Sequence, residues 1–206
     1  MPLSVEEAID QLRHSSSGKR RAAAKRLRSL ADPSAGPALL EALQVEATDP
    51  RTWEPQYQMA MALGTCGHAP AAPLLDKIAG EQAGYTMLGV GVGDALVRIE
   101  WATDSTLATV ERLATPGNPG VTDGVFRALA MLRLVPDDAL IERILDLVES
   151  LDLNDPLRFW VAAAAAGWLG PRVEAFLSAS VASTRSELSE VATKSLTGTY
   201  SNHRVL

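Results

Sequence analysis

The chain has 206 residues and a mass of 21.9 kDa, the size of one ordinary domain or one short array of repeats. Apolar residues make up 47% and charged residues 21%, with a mean hydropathy of +0.04, which excludes a disordered or collagen-like chain. The net charge of −6 and pI of about 5.1 argue against a dedicated nucleic-acid binder, which is usually basic.

Aromatics are 5% of the chain whereas alanines number 32, a bias toward closely packed helix. Taken in chain order, the elements read as helices throughout. A short terminal helix falls within residues 3–14. Five units follow, over about 18–47, 52–82, 85–114, 122–152 and 155–183, and a last terminal helix spans 186–197. Each unit is a pair. Its first helix is rich in small residues: Lys19–Leu30, Glu54–Leu63, Thr86–Ile99, Asp123–Leu134 and Pro156–Leu169. Its second is amphipathic: Ala35–Val45, Ala71–Ala79, Ser105–Leu113, Asp137–Leu151 and Arg172–Val181. Asp32-Pro33, Asp49-Pro50 and Asp155-Pro156 join a capping carboxylate to a proline suited to the first helical position. No sustained alternation of apolar and polar residues occurs, so no sheet is predicted. The predicted fold class is all-α.

The units are related by internal similarity. At an offset of 36 residues, Leu27-Arg28-Ser29-Leu30 falls on Leu63-Gly64-Thr65-Cys66. Ala35, Pro37 and Leu39 fall on Ala71, Pro73 and Leu75 at the same offset. Later units follow at steps of 33 or 36. The strings Arg21-Ala22-Ala23-Ala24-Lys25-Arg26-Leu27 and Ala35-Gly36-Pro37-Ala38-Leu39-Leu40 resemble the HEAT repeat, most of all its short bacterial form, the PBS-lyase-type repeat. The resemblance covers about residues 18–196 and fades toward the C-terminal end. It implies a right-handed α-solenoid of about five helical hairpins plus partial terminal helices, with the second helices lining a concave surface. It also implies a protein that binds another macromolecule, although a fold does not fix a function.

Candidate chemistry is sparse. The histidines are His14, His68 and His203, and only Cys66-Gly67-His68 pairs one with a second ligand type, so no metal site and no cofactor are predicted. The HEAT-like di-iron hydroxylases need His-Glu dipeptides, and the chain has none. Gly89-Val90-Gly91-Val92-Gly93-Asp94 does not meet the G-x-G-x-x-G pattern, and no strand precedes it. Gly89 and Gly93, four apart on one helix face, instead predict close approach of a neighbouring helix. No nucleophile motif appears, so no catalytic residue is assigned. Cys66 is alone, so no intramolecular disulfide forms. The N-terminal residues lack a signal-peptide pattern and the longest uncharged run, Pro55–Leu75, is too polar to span a bilayer. A cytoplasmic protein without membrane contact is expected.

Two charged features are candidates for partner contact. Residues 1–30 hold seven Lys/Arg against three Asp/Glu. Arg21, Lys25, Arg26 and Arg28 are read as one basic helix face, either a solvated surface or a site for phosphate or an acidic partner. The second helices carry Glu41, Gln44, Asp76, Lys77, Glu111, Arg112, Glu142, Arg143, Asp146 and Glu149 as candidate partner-binding residues. Their acidic excess suits a basic protein segment and disfavours DNA. Trp160 and Trp168 are predicted to pack in the core, whereas Trp53 and Trp101 lie near helix ends. The leading expectation is a non-catalytic protein-binding adaptor. An alternative is a HEAT-like alkylpurine DNA glycosylase or DNA-binding protein. A third is a lyase-like or chaperone-like helper subunit, or an immunity protein.

Overall fold

The computed structural model describes residues 3–202. Among them lie twelve α-helices and no strand: α1 (Val5–Gln11), α2 (Ser17–Leu30), α3 (Gly36–Glu46), α4 (Trp53–Thr65), α5 (Ala72–Glu81), α6 (Met87–Asp104), α7 (Ala108–Leu113), α8 (Pro119–Leu132), α9 (Asp138–Glu149), α10 (Leu157–Ala164), α11 (Pro171–Val181) and α12 (Ser186–Ser195). The fold is all-α.

The Asp-Pro signals act at helix starts. Asp32, Asp49 and Asp155 accept hydrogen bonds from the backbone N–H groups of Ser34, Arg51 and Leu157 at 2.9, 3.0 and 2.9 Å. The first two open short 3-10 turns, Pro33–Ala35 and Pro50–Thr52, that lead into α3 and α4. Several predicted elements differ in extent: α6 runs on to Asp104, past the predicted Ile99, and α7 starts at Ala108, after the predicted Ser105. Helix α8 begins at Pro119 because the Asn118 carboxamide caps it, accepting from Val121 N at 3.3 Å. Helix α10 stops at Ala164. The chain tightens into a 3-10 turn over Ala165–Gly167 and then extends, so that the Trp168 indole N–H donates to Leu134 O at 3.0 Å.

The even-numbered helices α2, α4, α6, α8, α10 and α12 form one row in which each packs on the next. The odd-numbered helices form a second row on its flank. Within that row, only α9 and α11 approach closely. Close backbone approaches also pair α1 with α2, α3 with α4, α5 with α6 and α11 with α12. Of the second helices of the predicted units, α3, α5 and α11 thus pack most closely on the helix that follows, whereas α7 lies between α6 and α8. Side chains also tie neighbouring helices together by satisfying carbonyls that helix C-termini leave open. Gln56 of α4 donates to Glu46 O and Asp49 O at 3.0 and 2.8 Å. Asn118 donates to Ala79 O and Gln82 O, both at 3.0 Å. Arg158 of α10 donates to Val148 O at 2.8 Å, and Arg20 of α2 to His14 O and Ser15 O at 2.9 Å.

Two apolar cores fill the space between the rows. One gathers Leu27, Leu39, Leu43, Leu63 and Leu75 with their neighbours. The other gathers Phe126, Leu129, Ile144, Leu145 and Phe176. They meet along α6 and α8, where glycine sets the spacing. A Cβ on Gly93 would land on Val121 O, and one on Gly124 would land on Val90 O. A Cβ on Gly64 would sit 2.6 Å from Ala95 Cα. The close approach predicted from Gly89 and Gly93 is thus made through Gly93 and Gly124, backbone against backbone.

Candidate binding groove

Backbones this close leave little room between the even-numbered helices, so larger side chains are pushed to the face away from the odd-numbered row. One register position there recurs every 33 residues: Arg28, Met61, Asp94, Arg127 and Trp160, one on each of α2, α4, α6, α8 and α10. These side chains meet. Asp94, fully buried, accepts from Arg98 Nε and from Arg127 Nη1, both at 2.5 Å. Arg127 also lies 3.9 Å from the Met61 sulfur, and its guanidinium stands 5.7 Å from the Trp160 ring centre. Arg28 donates to Gln58 Oε1 at 3.3 Å and sits 5.9 Å from the Tyr57 ring centre. Burial lowers the Arg28 pKa, and the positive charge of Arg127 adds to the effect.

A neighbouring register holds Tyr57, Val90 and Asp123, again at steps of 33. Asp123 is 5% exposed. Burial pushes its carboxyl up to about 6, against the opposing pull of the Tyr85 hydrogen bond and of Arg127 and Arg185. The Tyr85 hydroxyl donates to Asp123 Oδ2 at 3.2 Å, and burial beside this carboxylate raises the phenol to about 12. Tyr57, Tyr85, Met87, Phe159 and Trp160 wall an open groove of about 500 Å³ with Asp123 and Arg127 in its lining. Trp160, predicted to pack in the core, is half-buried at this groove, whereas Trp168 is buried. Trp53 and Trp101 are exposed.

The predicted basic face does not exist as one face. Arg26 lies five residues beyond Arg21, about 140° around the helix at 100° per residue. Arg21 pairs with Glu54 of α4 at 2.7 Å, and Arg26 Nε donates to Leu3 O at 2.8 Å. Arg28 turns inward toward Gln58 and Tyr57 and is buried, and Lys25 stays exposed.

The second-helix candidates lie on the odd-numbered row, where most are engaged in ion pairs between helices. Arg13 binds Glu41, and Arg112 of α7 binds Asp76 of α5 at 2.8 Å. Arg143 of α9 binds Glu111 of α7 at 3.0 Å. Arg172 of α11 reaches Glu142, Asp146 and Glu149 of α9 together, and their carboxylates raise its pKa. Lys77 approaches Glu81 at 3.9 Å, and Gln44 is exposed. The acidic excess expected there is largely met by arginines that sequence reading left out, Arg13 and Arg172.

Among the described residues, no group of three or more His, Cys, Asp and Glu could hold a metal ion. His203 lies outside the described residues. No described helix is long and apolar enough to cross a membrane. Sequence reasoning missed Asp94, Asp123, Arg127 and Tyr85, although the 33-residue recurrence of polar and aromatic residues within apolar helices was available. The chain matches no protein-family model, no curated protein and no solved structure.

Proposed function

We propose that the chain is a short right-handed α-solenoid of HEAT-like hairpins that serves as a non-catalytic, cytoplasmic module for binding another protein. The stacking of α2, α4, α6, α8, α10 and α12 supports the architecture. Helices held close in one row and wider apart in the other curve the array toward the close row. The even-numbered row is then the inner side. The partner surface follows as the groove on this row, in place of the second helices that the sequence resemblance implied. The observation that carries this reading is the groove itself, about 500 Å³ and walled by tyrosine, phenylalanine and tryptophan. Aromatic anchors in a partly desolvated depression are the usual seat of binding energy in protein complexes.

The test is affinity capture from native lysate with three forms of the chain. Wild type and a second-row variant (Asp146→Asn with Glu149→Gln) retain one near-stoichiometric protein. A groove variant (Tyr85→Ala with Trp160→Ala) loses it while remaining folded. The reverse pattern, or turnover of a substrate in a broad activity screen, overturns the reading.

One observation favours a second reading, the HEAT-like alkylpurine DNA glycosylase: a buried carboxylate, Asp123, lines a groove with aromatic rings. Release of alkylated purine from methylated duplex DNA, lost in Asp123→Asn, would put it first. No gel shift at low salt would remove it.

A further inference from the structure

The groove does not end at Met87. That side chain also lines an adjoining hollow of about 530 Å³ that includes Trp53, Ile78 and Leu88, so the two depressions share a wall. Trp53, Tyr85 and Met87 are 45%, 54% and 42% exposed along this course. Large apolar side chains exposed in line mark a surface that something covers.

The charges along the trough are unequal in their compensation. The positive one, Arg127, has a direct ion pair with buried Asp94, although it shares that single carboxylate with Arg98. The negative ones are Glu81 in the hollow, which has Lys77 at 3.9 Å, and Asp123 in the groove, which has no ion pair among the described residues. Among the described residues, a single hydrogen bond reaches Asp123, from the neutral Tyr85 hydroxyl. The charged groups that act on it are Arg127 from its own helix, Arg185 ahead of α12, and Asp155 ahead of α10. Arg185 is held elsewhere, donating through Nη1 to Asn154 O. The two arginines and the phenol together fall short of the cost of burial, since the carboxyl stays above its ordinary range. A further cation at Asp123 would make up that deficit.

We infer that the trough takes a partner segment that seats a lysine or arginine side chain against Asp123, beside the rings of Tyr57 and Tyr85, and an apolar residue in the hollow between Trp53 and Met87. The inference rests on the reading of the groove as the binding surface. The rings add cation–π attraction to the charge pair, and the apolar neighbour gives the segment direction.

The test titrates the full chain with four probes: the N-acetyl amides of lysine, arginine, norleucine and glutamate. The readout is the indole N–H resonance of Trp160, assigned by Trp160→Phe. The lysine and arginine amides are expected to give saturable shifts, with norleucine and glutamate at least about tenfold weaker. Cation affinity should fall about tenfold from pH 7.5 to pH 5, because a carboxyl titrating at about 6 is roughly nine-tenths protonated at the lower value. Asp123→Asn should abolish the preference for cations over norleucine while the far-UV spectrum and thermal transition persist. Equal binding of norleucine, stronger binding of glutamate, no saturable shift with either cation, or undiminished cation binding in Asp123→Asn overturns the inference. The two readings fail separately. If partner capture depends on Tyr85 and Trp160 but no cation preference exists, the groove stands and its cation seat falls. If capture ignores those residues, the groove reading itself falls.

Discussion

The two rows of helices in this chain solve the same packing problem in opposite ways. In the even-numbered row, α6 and α8 touch through Gly93 and Gly124, and the charges that remain are buried around Asp94. In the odd-numbered row the helices stand apart, and long arginine side chains such as Arg112, Arg143 and Arg172 cross the gaps to carboxylates on the next helix. Small residues let backbones carry the contact and force larger side chains onto one face. Wide spacing leaves the contact to flexible charged chains in water. The first arrangement is stiff and costly to alter; the second is tolerant.

The contrast is most exposed at Asp94. Its replacement by alanine leaves Arg98 and Arg127 facing each other with 14% and 10% of their side chains exposed and no carboxylate between them. Removing one member of a buried charge cluster costs about 3–5 kcal/mol. Urea denaturation of Asp94→Ala should show a loss of that size, and a change indistinguishable from that of a surface carboxylate would break the comparison.

Glycine gives the next largest difference, and it changes sign between the rows. Gly93→Ala drives a methyl group into Val121 O, and overpacking of this kind costs about 1–3 kcal/mol. Gly80, on α5 in the odd-numbered row, has nothing within 4 Å of the place a Cβ would take. Gly80→Ala should therefore stabilise, by about 0.5–1 kcal/mol, through helix propensity and a less flexible unfolded chain. Thermal melts of the two variants should move in opposite directions.

These particulars show what the sequence could and could not disclose. Helix positions were legible because local rules decide them: Asp-Pro pairs cap, and apolar periodicity marks the buried face. The Gly89–Gly93 spacing announced a close helix contact, since few other reasons place three glycines in one helix. The partner of each helix was not legible, because α3 has short connections to both α2 and α4, and Glu46 ties it to both, through an ion pair with Arg20 of α2 and the capping of its carbonyl by Gln56 of α4. The groove was half legible. Arg28, Met61, Asp94, Arg127 and Trp160 share one register, but their chemical types differ, so similarity searching by residue type passes over them. Arg26 was misplaced for a simpler reason: five residues beyond Arg21 on a helix, it points in a different direction. Arg28 shares the direction of Arg21, and its burial beside Gln58 and Tyr57 is a matter of tertiary packing.

Asp123 makes the stability of the stiff row depend on pH. Its folded pKa of about 6 exceeds the ordinary 3.8, so between these values the folded state holds more protons than the unfolded state. Stability from this group is therefore greatest below pH 3.8 and falls as pH rises to about 6, by about 2–3 kcal/mol in all. Asp123→Asn should flatten that slope and make the protein more stable than wild type at pH 7. A variant no more stable at pH 7, with the wild-type slope intact, would show that burial of this carboxyl does not set the pH dependence of stability.

The smallest effect belongs to the odd-numbered row. Arg172→Ala removes three ion pairs at once, yet every partner is an α9 carboxylate with a third or more of its side chain exposed. Water and salt already screen such pairs, and fixing a long side chain offsets part of their attraction. The loss should be detectable at low ionic strength and vanish at high salt, where mutual repulsion of Glu142, Asp146 and Glu149 is screened as well. Asp94→Ala run in parallel should stay equally damaging at both ionic strengths, because its charges are out of reach of the solution ions. If Arg172→Ala instead kept its effect at high salt, the odd-numbered row would be held by packing of the arginine stem against α9, and the division of labour between the rows would be one of degree.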